Sequence, residues 1–173
     1  MPTANAASHR LFLALWPPAE VREALQAHAA AWAWSDSARR TRTERLHVTV
    51  HFLGDVPVDR VPALQSGLDV AWQGCELTLD RPTVWPGGIA VLEATRVPGE
   101  LETLHAGLRE RLQALEVPVE QRRYRPHVTL ARKAFGSRVP AGFTPLQWRA
   151  GPGYELVRSL PGGRGYEPVQ RFG

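Results

Sequence analysis

Apolar positions along this 173-residue chain switch between two periods, and the switches mark the elements. Arg10 to Trp16 is an apolar run closed by Pro17-Pro18, the pattern of a buried strand. Val21, Leu25, Ala29 and Trp32 then recur at helical spacing, which predicts a helix from Pro18 to about Trp34 with proline at its start. Ser35 to Thr43 is polar and arginine-rich, a loop. Leu46 to Leu53 reads as a strand ended by Gly54-Asp55. Val58, Val61, Leu64, Leu68 and Ala71 predict a second amphipathic helix, from Pro57 to about Trp72. Glu76 to Asp80 alternates as a half-exposed strand, Pro86-Gly87-Gly88 is a turn, and Ile89 to Val97 is another strand, so these two strands are expected to form a hairpin. Leu101, Leu104, Leu108, Leu112 and Leu115 predict a third helix over Glu100 to Leu115. Strands follow over Tyr124 to Arg132, around Trp148, over Tyr154 to Val157, and from Tyr166 to Phe172.

Within this pattern one phrase occurs twice: His47-Val48-Thr49-Val50 and His127-Val128-Thr129-Leu130, each in a stretch read as a strand. Alternation in a strand puts the His and Thr of each phrase on one face and the valine on the other. Each half of the chain thus holds an amphipathic helix and a strand bearing His-x-Thr. The expected fold class is α+β, with two related lobes built on largely antiparallel strands. Residues 1–9, small and polar, are expected to be a flexible tail, and 10–173 a single domain.

Composition narrows the setting. With 43% hydrophobic and 22% charged residues the chain is ordinary for a soluble globular protein. No apolar run approaches the roughly twenty residues of a membrane span. Leu11 to Trp16 is also too short for a signal peptide and is followed at once by Pro17-Pro18 and Glu20. One cysteine, Cys75, allows no internal disulfide, so a reducing, cytoplasmic location is expected, and Cys75 reads as a small buried residue rather than a nucleophile. The formal charge is +4 and Lys133 is the only lysine. Such an arginine surplus reads equally as a phosphate-binding surface or as coding bias.

Two imidazoles flanking a phosphodiester can run acid–base catalysis without metal, one ring accepting a proton while the other donates. Thr49, Thr129 and an arginine would stabilise the negative charge that develops on the non-bridging oxygens. Arg132 is the natural cation, but it stands an odd number of residues from Thr129 and needs a bulge or a strand end to face inward. His51 shares the face of His47 and Thr49 by strict alternation, so it is expected to line the same cleft. A His47/His51 metal pair is not expected, because the stretch is strand-like and no acidic third ligand is near. The six tryptophans read as core or rim.

Arg10-Leu11-Phe12-Leu13-Ala14-Leu15, Leu46-His47-Val48-Thr49-Val50-His51-Phe52-Leu53-Gly54 and Tyr124-Arg125-Pro126-His127-Val128-Thr129-Leu130-Ala131-Arg132 together resemble the two-histidine phosphoesterase superfamily, and within it the RNA 2′,3′-cyclic phosphodiesterases first named 2′-5′ RNA ligases. The resemblance runs from about residue 10 to residue 172. It implies a bilobal fold with two mostly antiparallel sheets facing a central cleft, helices outside and a pseudo-twofold repeat. It implies His47 as proton donor, His127 as proton acceptor, and Thr49, Thr129 and Arg132 as phosphate-binding groups. Tyr124 and Phe12 match aromatic positions that would stack on a base, with core packing the other reading of Phe12, while His51 departs from the family pattern and is a substrate contact only by its place on the His47 face. The implied reaction opens a 2′,3′-cyclic phosphate to a 2′-phosphomonoester with no metal or other cofactor, alongside 2′-5′ ligation. The implied partner is RNA with a 2′,3′-cyclic phosphate end or a 2′-5′ linkage, handled by a monomer. Two alternatives remain open on sequence: a module that binds RNA ends without turnover, and a phosphodiesterase for small cyclic nucleotides.

Overall fold

A computed structural model describes residues 7–173. The expected tail over 1–9 lies mostly outside the described residues, although Ser8 and His9 already belong to the first strand, opposite Pro57 and Val56. Ten strands and three α-helices follow in the order β1 (Ser8–Leu15), α1 (Ala19–Ala30), β2 (Arg39–Arg40), β3 (Val48–Pro57), α2 (Val61–Gly67), β4 (Cys75–Leu79), β5 (Arg81–Trp85), β6 (Ile89–Glu93), α3 (Gly99–Ala114), β7 (His127–Arg132), β8 (Leu146–Ala150), β9 (Tyr154–Ser159) and β10 (Tyr166–Phe172). The fold is α+β. A large antiparallel sheet runs β10-β9-β1-β3-β7-β6-β5 with β2 attached to β7, and a small second sheet pairs β4 with β8.

The repeat is visible in the connections. β1-α1-β3 and β6-α3-β7 are two β-α-β units in which the strands flanking the helix pair antiparallel. They meet at the centre of the sheet through a single residue pair, Val48 opposite Val128, and part on either side of it. Beyond that pair β2 takes up the free edge of β7, with Arg39 opposite Arg132 and Arg40 opposite Ala131. One face of the sheet is covered by helices. Val21, Leu25 and Ala29 of α1 and Leu101, Leu104, Leu108 and Leu112 of α3 form the core with Leu11, Leu13, Leu15, Val48 and Val128. Each fully buried leucine of α3 contributes about 1.5–3 kcal/mol over its exposed form. The other face of β1 holds a separate small cluster of Phe12, Ala14 and Val157, with Trp16 against it, so β1 is apolar on both sides, as its unbroken run requires.

Several boundaries differ from the sequence pattern, each for a local reason. β3 continues through Gly54 because that residue sits at a register irregularity with φ +73°, a conformation glycine adopts without strain. α1 stops at Ala30, and Trp32 and Trp34 stack face to face beyond it at 4.9 Å. α2 stops at Gly67, since the Tyr154 hydroxyl donates to the Leu68 carbonyl at 2.8 Å and accepts from the Val70 amide at 2.7 Å, holding residues 68–70 out of the helix. The hairpin expected between residues 76–80 and 89–97 is not formed. β6 pairs instead with β5 across Pro86-Gly87-Gly88, and β4 pairs with β8. The alternating, buried Cys75, Leu77 and Leu79 send β4 to the core, leaving Arg81–Trp85 to complete the hairpin. No helix among the described residues is long and apolar enough to cross a membrane.

Candidate functional site

The Val48–Val128 pair organises the open face of the sheet. Both valines are fully buried towards the helices, so His47, Thr49, His127 and Thr129 turn to the other side. Carried one residue each way, the antiparallel register sets His47 opposite Thr129 and Thr49 opposite His127. The two histidines are close enough for the charge of His127 to act on His47.

Both rings are held alike. His47 Nδ1–H donates to the Arg45 carbonyl at 2.7 Å, and His127 Nδ1–H donates to the Arg125 carbonyl at 2.7 Å. In each case the carbonyl lies two residues upstream, which fixes the tautomer and frees Nε2 for chemistry. The Thr49 hydroxyl donates to His47 Nε2 at 3.1 Å.

Each His-x-Thr is followed by a bulge. On β3, Ala14 pairs with Thr49 and Leu13 with His51, so Val50 is skipped; on β7, Val91 pairs with Thr129 and Ala90 with Ala131, so Leu130 is skipped. The extra residue reverses the alternation beyond it. Val50 and His51, and likewise Leu130 and Ala131, are therefore all buried on the helix side. Exposed Phe52 and Arg132 take matching positions on the open face. Arg132 thus joins His127 and Thr129, and its charge acts on the His127 ring.

The same bulge removes His51 from the cleft, against the strict alternation assumed from sequence. His51 is 5% exposed, its Nε2–H donates to the His105 carbonyl of α3 at 2.8 Å, and its ring stacks on His105 at 4.0 Å. His47 and His51 consequently share no ligand position, and no group of three potential metal ligands occurs among the described residues. Tyr124 is also not presented to a ligand in the expected way. It stacks on His105 at 4.2 Å and its hydroxyl donates to the Thr49 carbonyl at 2.9 Å, bracing β3 from outside the strand.

The surroundings of the two rings break the symmetry. His47 lies in an aromatic box: Phe12 stacks on it at 5.0 Å, Trp16 lies at 5.1 Å and Tyr166 meets it edge-on at 5.5 Å. Burial in this box lowers its pKa to about 4, against the opposing pull of the Arg45 carbonyl, and the charge of His127 lowers it further. Phe12 is 4% exposed and packs on the His47 imidazole, the core-packing reading of that residue and not the base-stacking one. His127 faces Trp85 at 4.4 Å and stands directly opposite Glu93 of β6. Burial again lowers its pKa. The Arg125 carbonyl and Glu93 oppose that, while Arg125 and Arg132 add to it. Glu93 is 1% exposed and is clamped by Arg81 Nε at 2.7 Å and by Arg125 Nη2 at 2.9 Å. Arg125 also lies over the Trp85 ring at 4.4 Å. Trp16, Trp85, Tyr166 and Glu93 escaped the sequence reading. The one available signal was positional: by the two registers Trp16 stands to His47 as Glu93 stands to His127.

The chain matches a family model described as the 2′-5′ RNA ligase superfamily over residues 15–143. It is similar to an RNA 2′,3′-cyclic phosphodiesterase of Thermus thermophilus, 31% identical over 94% of this chain and 89% of that protein. Another RNA 2′,3′-cyclic phosphodiesterase, from Escherichia coli, is 32% identical over 72% of each chain. Among solved structures, Escherichia coli LigT complexed with 3′-AMP superposes with a TM-score of 0.80 at 28% identity, over 95% of this chain and 97% of that one.

Proposed function

The chain belongs to the 2′-5′ RNA ligase superfamily, and on that premise we propose that it is an RNA 2′,3′-cyclic phosphodiesterase working by two-histidine acid–base catalysis. The observation that carries this reading is the Val48–Val128 register, with both imidazoles tied at Nδ1 and, among the described residues, His127 Nε2 unpartnered and His47 Nε2 met only by the Thr49 hydroxyl of its own motif. A cyclic phosphate seated there has a ring on each side. His127 Nε2 takes a proton from water as the water oxygen attacks phosphorus. The bond from phosphorus to the 3′ oxygen breaks, and His47 Nε2–H protonates that oxygen, leaving a 2′-phosphomonoester. Thr49, Thr129 and Arg132 hold the non-bridging oxygens as charge builds on them.

The asymmetric surroundings support these roles. Glu93 stabilises the imidazolium formed on His127 when it accepts the water proton. The aromatic box makes protonated His47 a strong acid towards the leaving oxygen, and the phosphate anion beside it supplies the charge that keeps the proton on until transfer. The same groups can act on a 2′-5′ linkage, with a ribose hydroxyl in place of water. No step calls for a metal or a diffusible cofactor, and the reading places the enzyme in the cytoplasm as a monomer.

His47→Ala and His127→Ala test it on an RNA ending in a 2′,3′-cyclic phosphate, with the 2′-phosphate product separated by chromatography. Each replacement is expected to cost 10²–10⁴ in kcat. Undiminished ring opening by the double variant would refute the assignment. Tight binding of the cyclic end with no product from the native protein would point to an RNA-end-binding module instead.

A further inference from the structure

Beside the aromatic box, on the β1-β9-β10 side of His47, lies an open pocket of about 530 Å³ that the proposed reaction does not use. Trp16 and Tyr166 form the wall it shares with His47. Five arginines line it, Arg22, Arg42, Arg45, Arg164 and Arg171, against the carboxylates of Glu44 and Glu155. Glu155 is occupied by Arg171 at 2.8 Å. Among the described residues Arg42 and Arg45 donate no side-chain hydrogen bond, and Arg22 and Arg164 each reach only a backbone carbonyl, of Pro17 and Pro161. The pocket therefore keeps several guanidinium forks unspent. Tyr166, 37% exposed, offers a ring face at its mouth with Arg45 above it at 5.9 Å.

The other lobe uses its arginines differently. Its cleft-side arginines Arg81 and Arg125 are consumed by Glu93. Arg132 is left there for the reacting phosphate, and on the His47 side the free guanidiniums of the pocket stand beside room for about one nucleotide. Planar guanidiniums match phosphodiester oxygens, and an aromatic face beside them accepts a stacked base, the combination used for single-stranded nucleic acid.

We propose that this arginine pocket binds the phosphodiester on the 5′ side of the cyclic end, so that the protein selects an RNA strand over a cyclic mononucleotide. The proposal rests on the phosphodiesterase reading and adds its substrate class. Arg45 couples the two regions, since its side chain lines the pocket and its carbonyl holds His47 Nδ1–H.

The test is the double variant Arg42→Gln, Arg164→Gln, whose side chains reach neither histidine. Kinetics are compared on 2′,3′-cyclic AMP and on a short RNA with a 2′,3′-cyclic end. The native protein is expected to show the higher kcat/KM on RNA. The variant is expected to lose about tenfold of that through KM, to keep its mononucleotide rate, and to show a shallower salt dependence by about one unit of slope for each phosphate contact removed. Equal handling of RNA by the two proteins would overturn the proposal, as would an equal fall on both substrates. Should neither protein open either substrate, the phosphodiesterase reading fails, and fluorescence anisotropy with a labelled 2′-phosphorylated RNA decides the pocket separately. Weaker binding by the variant supports it, and equal binding ends it.

Discussion

Replacing Glu93 by Gln removes a charge at the point where stability and catalysis meet. The carboxylate is buried and receives Arg81 at 2.7 Å and Arg125 at 2.9–3.2 Å. Burial alone would raise its pKa, but the hydrogen bonds and charges of Arg81 and Arg125 prevail and hold it below the ordinary carboxylate range. Breaking a fully buried ion pair typically costs 3–5 kcal/mol. Here both guanidiniums are about half exposed, 53% and 50%, and can return to water, so about 2–3 kcal/mol is expected. For a chain of this size that is roughly 5–10 °C in Tm, read by calorimetry. A carboxylate whose folded pKa is depressed stabilises above its unfolded value near 4.3 and loses that contribution as pH falls through the folded value. The gap between native and variant Tm should therefore be full at pH 7 and close in acid. Catalysis follows from geometry: Glu93 stands opposite His127, and it anchors the Arg125 segment whose carbonyl holds that ring. Opposite residues about 5 Å apart interact by about 3 kcal/mol at an effective dielectric of 20. Sharing of that charge with two arginines leaves about 1–2 kcal/mol, a five- to thirtyfold fall in kcat with the acidic limb of the pH profile moved down. An unchanged Tm at pH 7 together with an unchanged kcat would refute this account of Glu93.

Arg132→Lys should lose about tenfold in kcat/KM and Arg132→Ala about a hundredfold, since a forked charge-assisted contact is worth roughly 1.5–3 kcal/mol; equal rates in steady-state assays would deny it a phosphate role. His105, whose pKa burial lowers to about 3 with the nearby charges of His51 and Arg109 adding to the fall, is neutral when folded but takes up a proton when unfolded below about pH 6.5. It stabilises above that pH and loses its contribution as pH falls towards 3. His105→Phe keeps the stack with Tyr124 and should flatten the decline of urea-unfolding stability between pH 6.5 and 4. EDTA should leave ring opening unchanged in the product assay, and strong inhibition reversed by added metal would contradict a purely imidazole mechanism.

The repeated His-x-Thr, its strand setting and the three helices were legible because each follows from a period in the chain. What escaped depends on pairing. His51 was assigned to the cleft by alternation, and one skipped residue at Val50, which depends on what β1 opposes, sent it to α3. The same kind of skip at Leu130 turns Arg132 inward, and no local feature of Ala131-Arg132 announces it. Glu93 carries no signal in its own segment, because its partners Arg81 and Arg125 come from another strand and a loop. Tyr166 lies at the far end of the chain, and only the β10-β9-β1-β3 order carries it to His47.

The two β-α-β units share one rung of the sheet. Within each unit the imidazole, its tether and its threonine are closely related, since they lie within five consecutive residues at the start of one strand. Between units the strands β3 and β7 share only the Val48–Val128 pair, and the His51–His105 stack and the Tyr124–Thr49 bond brace it from the helix side, so any rocking of the two units about that rung is expected to work against those two ties. Such a motion would change the spacing of the two imidazoles and leave the Arg45 and Arg125 carbonyl tethers intact. Amide hydrogen exchange at Val48 and Val128, compared with the long β1-β3 ladder, measures that motion directly.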